Sequence, residues 1–219
     1  MLSVRLLPVL ALMTLLLAAC TEPPQPTINL YRAIHTGDLD QIKRHIYWGT
    51  DVNSPDPDGD YPLHVAARRG RVVIAQHLLD SGADPNAFNL GGATPLRVAL
   101  ENGKTQVAQV LVKKGAADDP QALFFDLVRD GVTDRDSLKL LLERGADIDA
   151  RDGKGDAAIH IAVRNNQVLL VKRLIDQRAD LNQPNDEGRT PLQIAAINQN
   201  RDITKELERY GARPGPASE

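Results

Sequence analysis

Apolar residues recur at helical spacing along most of the chain, in short stripes separated by glycine, proline and charged residues. In one segment Leu63, Ala66 and Ala67 share a helical face, and residues 73–79 place apolar side chains at i, i+1, i+4 and i+5. Gly70 stands between these two stripes, where it can end the first helix in the left-handed conformation. The pattern predicts pairs of short amphipathic helices. A single pair cannot bury its apolar face, so neighbouring pairs must stack.

The helical pattern repeats with a step close to 33 residues. The residue that follows each second stripe recurs with steps of 33, 33, 30, 33 and 33, at Gly49, Gly82, Gly115, Gly145, Arg178 and Gly211. A four-residue marker recurs in phase, as Tyr61-Pro62-Leu63-His64, Thr94-Pro95-Leu96-Arg97, Ala157-Ala158-Ile159-His160 and Thr190-Pro191-Leu192-Gln193. Proline is tolerated in the first turn of a helix, and threonine before it is a good N-cap. The marker therefore predicts where each first helix begins.

The two markers in register resemble the ankyrin repeat, which has a 33-residue period and a Thr-Pro-Leu-His signature. The resemblance implies an all-α fold, a solenoid of about six helix-turn-helix units with projecting β-hairpin loops. The expected ankyrin-repeat domain covers residues 29–214, and its expected units are 29–53, 54–86, 87–118, 119–150, 151–183 and 184–214. Residues 215–219 are expected to form a disordered tail.

The fourth unit departs from this pattern. Its hairpin is shortened, residues 131–134 lengthen the turn between its helices, and it holds Phe124 and Phe125 in a chain with only 4% aromatic residues. Two interpretations stay open. Either the phenylalanines fill a larger core gap in a drifted unit, or the unit forms a local kink that shapes the seat of a partner.

Two kinds of repeated position lead to predictions about single residues. Arg178 stands where the equivalent residues are glycine, and a left-handed backbone costs a non-glycine residue about 1–2 kcal/mol. We therefore predict that Arg178→Gly stabilises the protein. His64 and His160 occupy the histidine place of the signature. The resemblance implies that they hydrogen-bond backbone between repeats rather than act in catalysis.

The N-terminal residues follow a different pattern. An apolar run over residues 6–17 follows the single basic residue Arg5, and it is too short for a comfortable membrane span of about 20 residues. It leads into Leu17-Ala18-Ala19-Cys20, which is similar to the processing box of bacterial lipoproteins. The resemblance implies that residues 1–19 are a signal peptide that is removed and that Cys20 carries the lipid. The alternative is an ordinary secretory signal with an incidental cysteine.

Residues 20–28 then form a proline-rich tether, which we expect to be extended and semi-stiff. Thr21 replaces the aspartate that retains lipoproteins in the inner membrane of some bacteria, so the analogy favours the outer membrane. The expected location is the bacterial cell envelope, where the chain is lipid-anchored and faces the periplasm.

Charge and cysteine content exclude several classes of function. The chain has 26 basic and 29 acidic residues, a net charge of −3, and loss of Arg5 leaves 25 and 29, or −4. This mild acidity argues against nucleic-acid binding and against a polybasic membrane patch. Cys20 is the only cysteine, so an intramolecular disulfide is impossible. A lipid-linked sulfur is neither a nucleophile nor a metal ligand.

Motifs that carry catalysis or metal binding are missing from the sequence. The five histidines lack the spacing of a zinc site, and there is no phosphate-binding glycine loop or nucleophile elbow. The acidic turn 56–60 is only superficially like a calcium loop, because the twelfth residue from Asp56 is Ala67 rather than glutamate. We therefore predict no catalytic residues, no metal site, no cofactor and no small-molecule substrate.

The resemblance instead implies binding of another protein through hairpin tips and the concave face of the first helices. The predicted contact residues are Trp48, Asp58, Asp60, Arg68, Arg69, Glu101, Asn102, Arg129, Arg164, Asn165, Arg189 and Tyr210. Four of them, Arg68, Arg69, Arg129 and Arg164, are predicted to form a basic ladder for an acidic partner. The alternative is that these surfaces are polar for solubility, and that Trp48 and Tyr210 merely cover the terminal units.

The predicted function is therefore a non-catalytic interaction module, anchored in the envelope and bound to an unidentified periplasmic protein. Two specialisations are compatible with this prediction. One is an immunity protein that neutralises a toxic effector, and the other is a helper of an envelope enzyme in stress defence. A structural role in the envelope is a further alternative, and an enzyme is the least expected.

Overall fold

The computed structural model describes residues 22–215, and within them the chain forms six consecutive pairs of α-helices. The first helices of the six units are α1 Leu30–Thr36, α3 Pro62–Arg69, α5 Pro95–Glu101, α7 Pro120–Arg129, α9 Ala158–Arg164 and α11 Pro191–Ile197. The second helices are α2 Leu39–Tyr47, α4 Val72–Asp80, α6 Thr105–Lys113, α8 Arg135–Glu143, α10 Val168–Asp176 and α12 Arg201–Arg209. The predicted all-α solenoid of helix pairs is confirmed. The predicted signal peptide, Cys20 and residues 216–219 lie outside the described residues.

The first helices begin as the four-residue marker predicts. Proline occupies the first turn of α3, α5 and α11, and the residue before it has an extended backbone. The Thr94 hydroxyl accepts a hydrogen bond from the Arg97 N–H (3.1 Å), and the Thr190 hydroxyl accepts one from the Gln193 N–H (3.4 Å). Each threonine thereby satisfies an amide that has no partner within its helix.

Left-handed residues end the helices. Gly70 follows α3 with φ +68° and donates its N–H to carbonyls of that helix, as predicted. Arg178 takes the same conformation, φ +68°, at the place where Gly145 has φ +101°. The backbone of Arg178 is therefore strained by its own side chain, since only glycine adopts positive φ without a steric cost.

Replacing Arg178 with glycine should raise the free energy of unfolding by roughly 1 kcal/mol, because the relief of strain exceeds the added entropy of an unfolded glycine. Urea denaturation at neutral pH measures this change. Gly145→Ala is the matched reverse substitution, since a Cβ there has open space around it and only the backbone is strained. It should lower stability by a similar amount. An Arg178→Gly protein no more stable than the parent would contradict this account.

The core runs between the two rows of helices from the first unit to the last. Small residues of the first helices are fully buried where neighbouring first helices meet, namely Ala66, Ala99, Ala162 and Ala195. The second helices contribute fully buried leucines, namely Leu78, Leu111, Leu141, Leu174 and Leu207. The alanines let the first helices of neighbouring units approach each other closely. The leucines fill the space beneath the second helices. Burial of these stripes against adjacent units provides the hydrophobic stabilisation that no single pair could have.

Two buried histidines tie the start of a first helix to backbone further along the chain. His64 reaches the next unit, as the resemblance implied, and His160 reaches the last residue of its own unit. Nε2 of His64 donates to the Ala93 carbonyl (2.9 Å), while Nδ1 accepts from the Tyr61 N–H (3.3 Å). His160 repeats this arrangement with the Gln183 carbonyl (3.0 Å) and the Ala157 N–H (3.2 Å). Because one nitrogen must donate and the other must accept, the geometry requires the neutral imidazole.

These histidines should make stability depend on pH. Burial lowers the pKa of His64 and of His160 below the ordinary value of 6.5. The unfolded chain therefore binds more protons than the folded one below about pH 6.5, and stability falls with falling pH at up to about 1.4 kcal/mol per pH unit for each histidine. Above that pH the contribution is fully present. Urea denaturation at pH 8, 7, 6 and 5 measures the slope.

The chain offers a natural control for this pH effect. Gln193 stands at the equivalent position of the last unit, and its Oε1 accepts from the Thr190 N–H (2.9 Å). The double variant His64→Gln, His160→Gln keeps that capping bond without a group that titrates near neutral pH. It should show little change between pH 7 and pH 5. A slope as steep as that of the parent would assign the acid sensitivity to other groups.

The loops predicted to project as β-hairpins are short, tight turns. Each of the four long loops closes through a backbone hydrogen bond across five residues, as between the Asp56 N–H and the Asp60 carbonyl (2.9 Å). Within residues 22–215 the only isolated β-bridge pairs Arg151 with Ala157, directly beyond the bond that closes the loop 152–156. We call these turns fingers, over residues 56–60, 89–93, 152–156 and 185–189.

The phenylalanines of the fourth unit lie in the core, as the first interpretation of its sequence predicted, and the seat for a partner stays a prediction. Phe124 is fully buried and Phe125 nearly so, which shows that they fill the core. The lengthened turn also displaces α8, whose Ser137 hydroxyl donates to the Leu100 carbonyl of α5 (2.9 Å). Among consecutive second helices, α8 and α10 pack least closely. Arg173 of α10 bridges this gap by donating to the Thr133 carbonyl (3.3 Å).

The described part of the predicted tether, from residue 22, contains no helix or strand, and it does not hang free of the first unit. Three side-chain contacts hold it: Trp48 Nε1–H donates to the Pro23 carbonyl (3.1 Å), Gln41 Oε1 accepts from the Thr27 N–H (2.8 Å), and His45 Nε2 lies 2.7 Å from the Ile28 carbonyl. The segment from Pro23 to Ile28 is therefore part of the folded body, and its direction is fixed by α2.

Candidate functional site

The exposed residues of the four fingers and of the C-terminal ends of first helices α3 to α11 form one surface, which we call the finger–helix face. The fingers are rigid because their first side chain caps the turn. Asp56 accepts hydrogen bonds from the Asp58 and Asp60 N–H groups (3.0 and 2.9 Å). Asp152 does the same for Lys154 and Asp156 (2.8 and 3.1 Å). Such turns present their neighbours in one fixed geometry.

Two identical clusters lie on this face, three units apart. In the first, the Asp60 carboxylate pairs with Arg68 and accepts from Asn89 Nδ2 of the next finger (2.8 Å). In the second, the same places are taken by Asp156, Arg164 and Asn185, and the Asn185 to Asp156 bond is again 2.8 Å. Asp60 is only 9% exposed, so it lies beneath the surface to which it was assigned. What reaches solvent is the guanidinium of Arg68, at 40% side-chain exposure.

The buried carboxylate of the first cluster is charged at neutral pH. Burial acts to raise the pKa of Asp60, but hydrogen bonds from Arg68 and Asn89 outweigh it and hold the pKa below the ordinary 3.8. The ionised Asp60 carboxylate therefore holds the Arg68 guanidinium in one position. A fixed guanidinium loses less conformational entropy on binding than a free one does.

The predicted contact residues did not include a third arginine, Arg97, which lies at the centre of the finger–helix face. Arg97 donates to Glu101 (2.7 Å), to Asp130 of the fourth unit (2.7 Å) and, more weakly, to Asp126 (3.3 Å). It occupies the place where His64 and His160 carry the buried signature histidine. That substitution was the signal that could have identified it, because a charged residue at a buried signature position must reach outward for partners.

The predicted basic ladder is largely neutralised. Arg129 donates to Asp126 and to the buried Asp152 (both 3.2 Å), and its guanidinium lies 5.5 Å from the Phe125 ring centroid. Arg68 and Arg164 have their own aspartates, whereas Arg69 is exposed and forms no ion pair within residues 22–215. The face therefore presents arginines as fixed hydrogen-bonding groups and not as a strip of excess positive charge.

The other predicted contact residues divide into two groups. On the finger–helix face the exposed ones are Asp58, Asn102, Asn165 and Arg189, with Glu101 half-buried against Arg97. Trp48 and Tyr210 are exposed but follow the second helices of the first and last units. The structure therefore does not bring these two aromatics together with the arginine clusters.

Sequence analysis also did not single out the apolar finger of the third unit. Phe88 and Leu90 are 67% and 82% exposed, although the other fingers carry mainly charged residues. Leu90 lies over Gly59 of the preceding finger, where any Cβ would overlap its side chain. Asn89, between the two, donates to Asp60 of the first cluster. The finger that exposes Leu90 is thus joined to the Arg68 cluster through Asn89 and Asp60. Exposed apolar and arginine side chains are the types that dominate binding hot spots.

The lengthened turn of the fourth unit lines a groove of about 680 Å³ beside the C-terminal end of α5. Glu101, Asp130, Asp134 and Arg173 line it, so it is mainly polar. Within the described residues, no group of His, Cys, Asp and Glu side chains is arranged to hold a metal ion. The helices over the same range are all too short and too polar to cross a membrane.

Comparison with known families decides the identity of the fold. The family described as ankyrin repeats (3 copies) matches residues 30–122 and 126–216. The chain belongs to the ankyrin-repeat family. Ankyrin repeats are protein-binding modules and typically non-catalytic, in agreement with the expectation from the sequence.

The curated relatives match this chain over only part of their own length. It is 29% identical to an L-asparaginase of Dirofilaria immitis over 178 residues, 78% of this chain and 29% of that protein. It is 44% identical to the potassium channel SKOR of Arabidopsis thaliana over 184 residues, 83% of this chain and 22% of that protein. The chain thus spans less than a third of each, so the similarity concerns the repeat module.

Two solved structures match nearly the whole ankyrin stack. The ankyrin repeat domain of human ASB11 is 28% identical, with a TM-score of 0.66 and 85% of both chains covered. A chain in the structure of a predatory endopeptidase of Bdellovibrio bacteriovorus, in complex with an immunity protein, is also 28% identical. That match has a TM-score of 0.62 and covers 82% of this chain and 96% of the other.

Proposed function

We propose that this ankyrin module is a lipid-anchored envelope protein that holds a periplasmic protein partner on its finger–helix face. The observation that carries the proposal is that Phe88 and Leu90 are largely exposed at the finger whose Asn89 bonds to the Arg68–Asp60 cluster. Exposed aromatic and aliphatic side chains on the same face as an immobilised guanidinium favour a macromolecular surface over a small ligand. The anchor is supported by the lipoprotein-like box that ends at Cys20.

Within this class we propose an immunity function, in which the bound partner is a hydrolase of the peptidase type that is kept inactive. Support comes from the similarity to a chain of the endopeptidase–immunity protein complex, which extends over 96% of that chain. The near-neutral finger–helix face adds a physical argument. Because its arginines other than Arg69 are already paired, affinity must come mainly from shape and desolvated apolar contacts, which favour one specific partner.

A photo-crosslinking amino acid at Leu90 tests the interface in living cells. We expect one predominant crosslinked protein, identified by mass spectrometry, whose hydrolytic activity is inhibited by the purified ankyrin protein. Leu169 is the matched control, because it is 51% exposed but lies on second helix α10, away from the finger–helix face. Equal crosslinking from both positions would contradict the assignment of the face.

Deletion of the gene distinguishes immunity from help to an enzyme. An immunity protein predicts a growth defect that disappears when the crosslinked hydrolase is also deleted. It also predicts rescue by the parent chain but not by Phe88→Asp, Leu90→Asp. Loss of one envelope enzyme activity without toxicity would instead support the helper function.

Cys20→Ser should move the protein from the membrane fraction to the soluble fraction, and continued membrane attachment would contradict the anchor.

A further inference from the structure

An exposed aromatic pair stands at the end of α2, where the first unit meets the N-terminal segment. Tyr47 and Trp48 are 56% and 41% exposed, and their rings meet edge to face with centroids 5.6 Å apart. They lie outside the finger–helix face, so the proposed partner site does not account for them. Large exposed aromatic rings that are adjacent in space indicate a contact surface.

The position of this pair relative to the chain terminus is fixed. Trp48 donates its indole N–H to the Pro23 carbonyl (3.1 Å), and Gln41 and His45 hold the segment further along. Only two residues lie between Cys20 and Pro23, and the three steps along the chain span at most about 10 Å. A lipid on Cys20 would therefore place the bilayer surface next to Tyr47 and Trp48.

The chemistry of the pair fits the membrane–water interface. Tryptophan and tyrosine combine an apolar ring with one polar group, and they are enriched at the headgroup level of bilayers. Exposed charges near them along the chain are of both signs, at Glu22, Lys43 and Asp51. Attraction to anionic lipid is consequently weak, and the rings themselves must provide the contact.

We propose that Tyr47 and Trp48 form a membrane-contact surface that rests in the headgroups beside the lipid anchor. The contact holds the solenoid end-on, with the first unit at the bilayer and the sixth unit farthest from it. The finger–helix face then extends away from the membrane along the length of the stack. This inference rests on the proposed lipidation of Cys20 for its anchor, but the aromatic contact can be measured separately.

The chain provides its own probe, because Trp48 is the only tryptophan and Cys20 the only cysteine. Residues 20–219 contain every described helix, from Leu30 to Arg209, and can be coupled through the Cys20 thiol to a maleimide lipid. Vesicles of phosphatidylethanolamine and phosphatidylglycerol then carry a nitroxide quencher at the headgroup. We expect roughly half of the Trp48 emission to be quenched, since interfacial rings lie at that depth.

A matched control uses the repeat itself. Tyr210 follows α12 as Trp48 follows α2, five units farther along the stack. Trp48→Phe combined with Tyr210→Trp moves the probe to the equivalent place at the far end, and its emission should not be quenched. An unquenched Trp48 in protein that floats with the vesicles would overturn the contact. Equal quenching at both ends would overturn the end-on arrangement.

The two proposals fail in different ways. Mass spectrometry of the full chain, isolated from bacterial membranes, shows whether Cys20 carries lipid. An unmodified Cys20 would overturn the anchoring proposed above, and with it the arrangement in the cell. Absence of headgroup quenching in the chemically coupled protein would overturn the aromatic contact even if Cys20 were lipidated.

Discussion

Replacing Phe124 with alanine is expected to lower the free energy of unfolding by about 3–5 kcal/mol, the largest effect of any single substitution we consider. Phe124 is fully buried at the centre of the stack and is the largest of the fully buried side chains. Removing its ring leaves a cavity in the fourth unit. The fourth unit already packs loosely against the fifth, because its α8 makes little contact with α10. Few other contacts there can compensate for the loss of the ring.

The substitution should also change the mode of unfolding. Each unit of a solenoid contacts only its neighbours, so weakening the fourth unit separates units 1–3 from units 5 and 6. Trp48 reports on the first unit alone, whereas far-ultraviolet circular dichroism reports on all helices. The two signals should coincide in the parent during urea denaturation and diverge in Phe124→Ala.

Phe88→Ala is the matched control, since it is the same substitution at a side chain that is 67% exposed. It should change stability by less than about 0.5 kcal/mol. It should, in contrast, weaken the proposed partner complex, because Phe88 directly precedes the apolar finger 89–93 and is exposed beside it in the chain. Similar losses of stability for the two variants would contradict the assignment of Phe124 to the core.

Features carried by the period itself were predictable from the sequence. The proline marker locates the start of α3, α5 and α11, and the 33-residue step places Arg178 in a glycine position, where its φ is indeed positive. These features depend on local backbone preferences, which a single unit contains in full. The sequence assigns Phe124 and Phe125 to the fourth unit, but it does not predict how their rings pack. Their packing depends on the position of α8, which is set by neighbouring units.

The contacts that join neighbouring units on this face were not predicted because they link residues about one period apart. Asp60 meets Asn89 at a separation of 29 residues, and Arg97 meets Asp130 at 33. A sequence comparison that aligned charges one period apart, rather than within one unit, could have found them. The Trp48 to Pro23 contact has no such regularity, since the N-terminal segment occurs once. Its docking depends on the shape of the folded first unit.

The second large effect concerns the Asp156 cluster, where Asp156→Asn should lower the free energy of unfolding by about 2–3 kcal/mol. Asp156 is 1% exposed, and its carboxylate pairs with Arg164 and accepts from Asn185. An amide at this position loses the charge and presents N–H groups to a guanidinium that can only donate. The effect stays below that of a fully buried ion pair, because Arg164 is 41% exposed and water can solvate it.

Asp186→Asn is the control for charge removal without burial. Asp186 pairs with Arg151 (2.7 Å), but its side chain is 61% exposed, so the loss should be within about 1 kcal/mol. Urea denaturation of both variants, and of each combined with Ala at its arginine, gives the coupling energies. A coupling energy for Asp156–Arg164 no larger than that for Asp186–Arg151 would mean that Asp156 does not hold the Arg164 guanidinium in place. The claim that this face presents fixed guanidinium groups, with a low entropic cost of binding, would then be wrong.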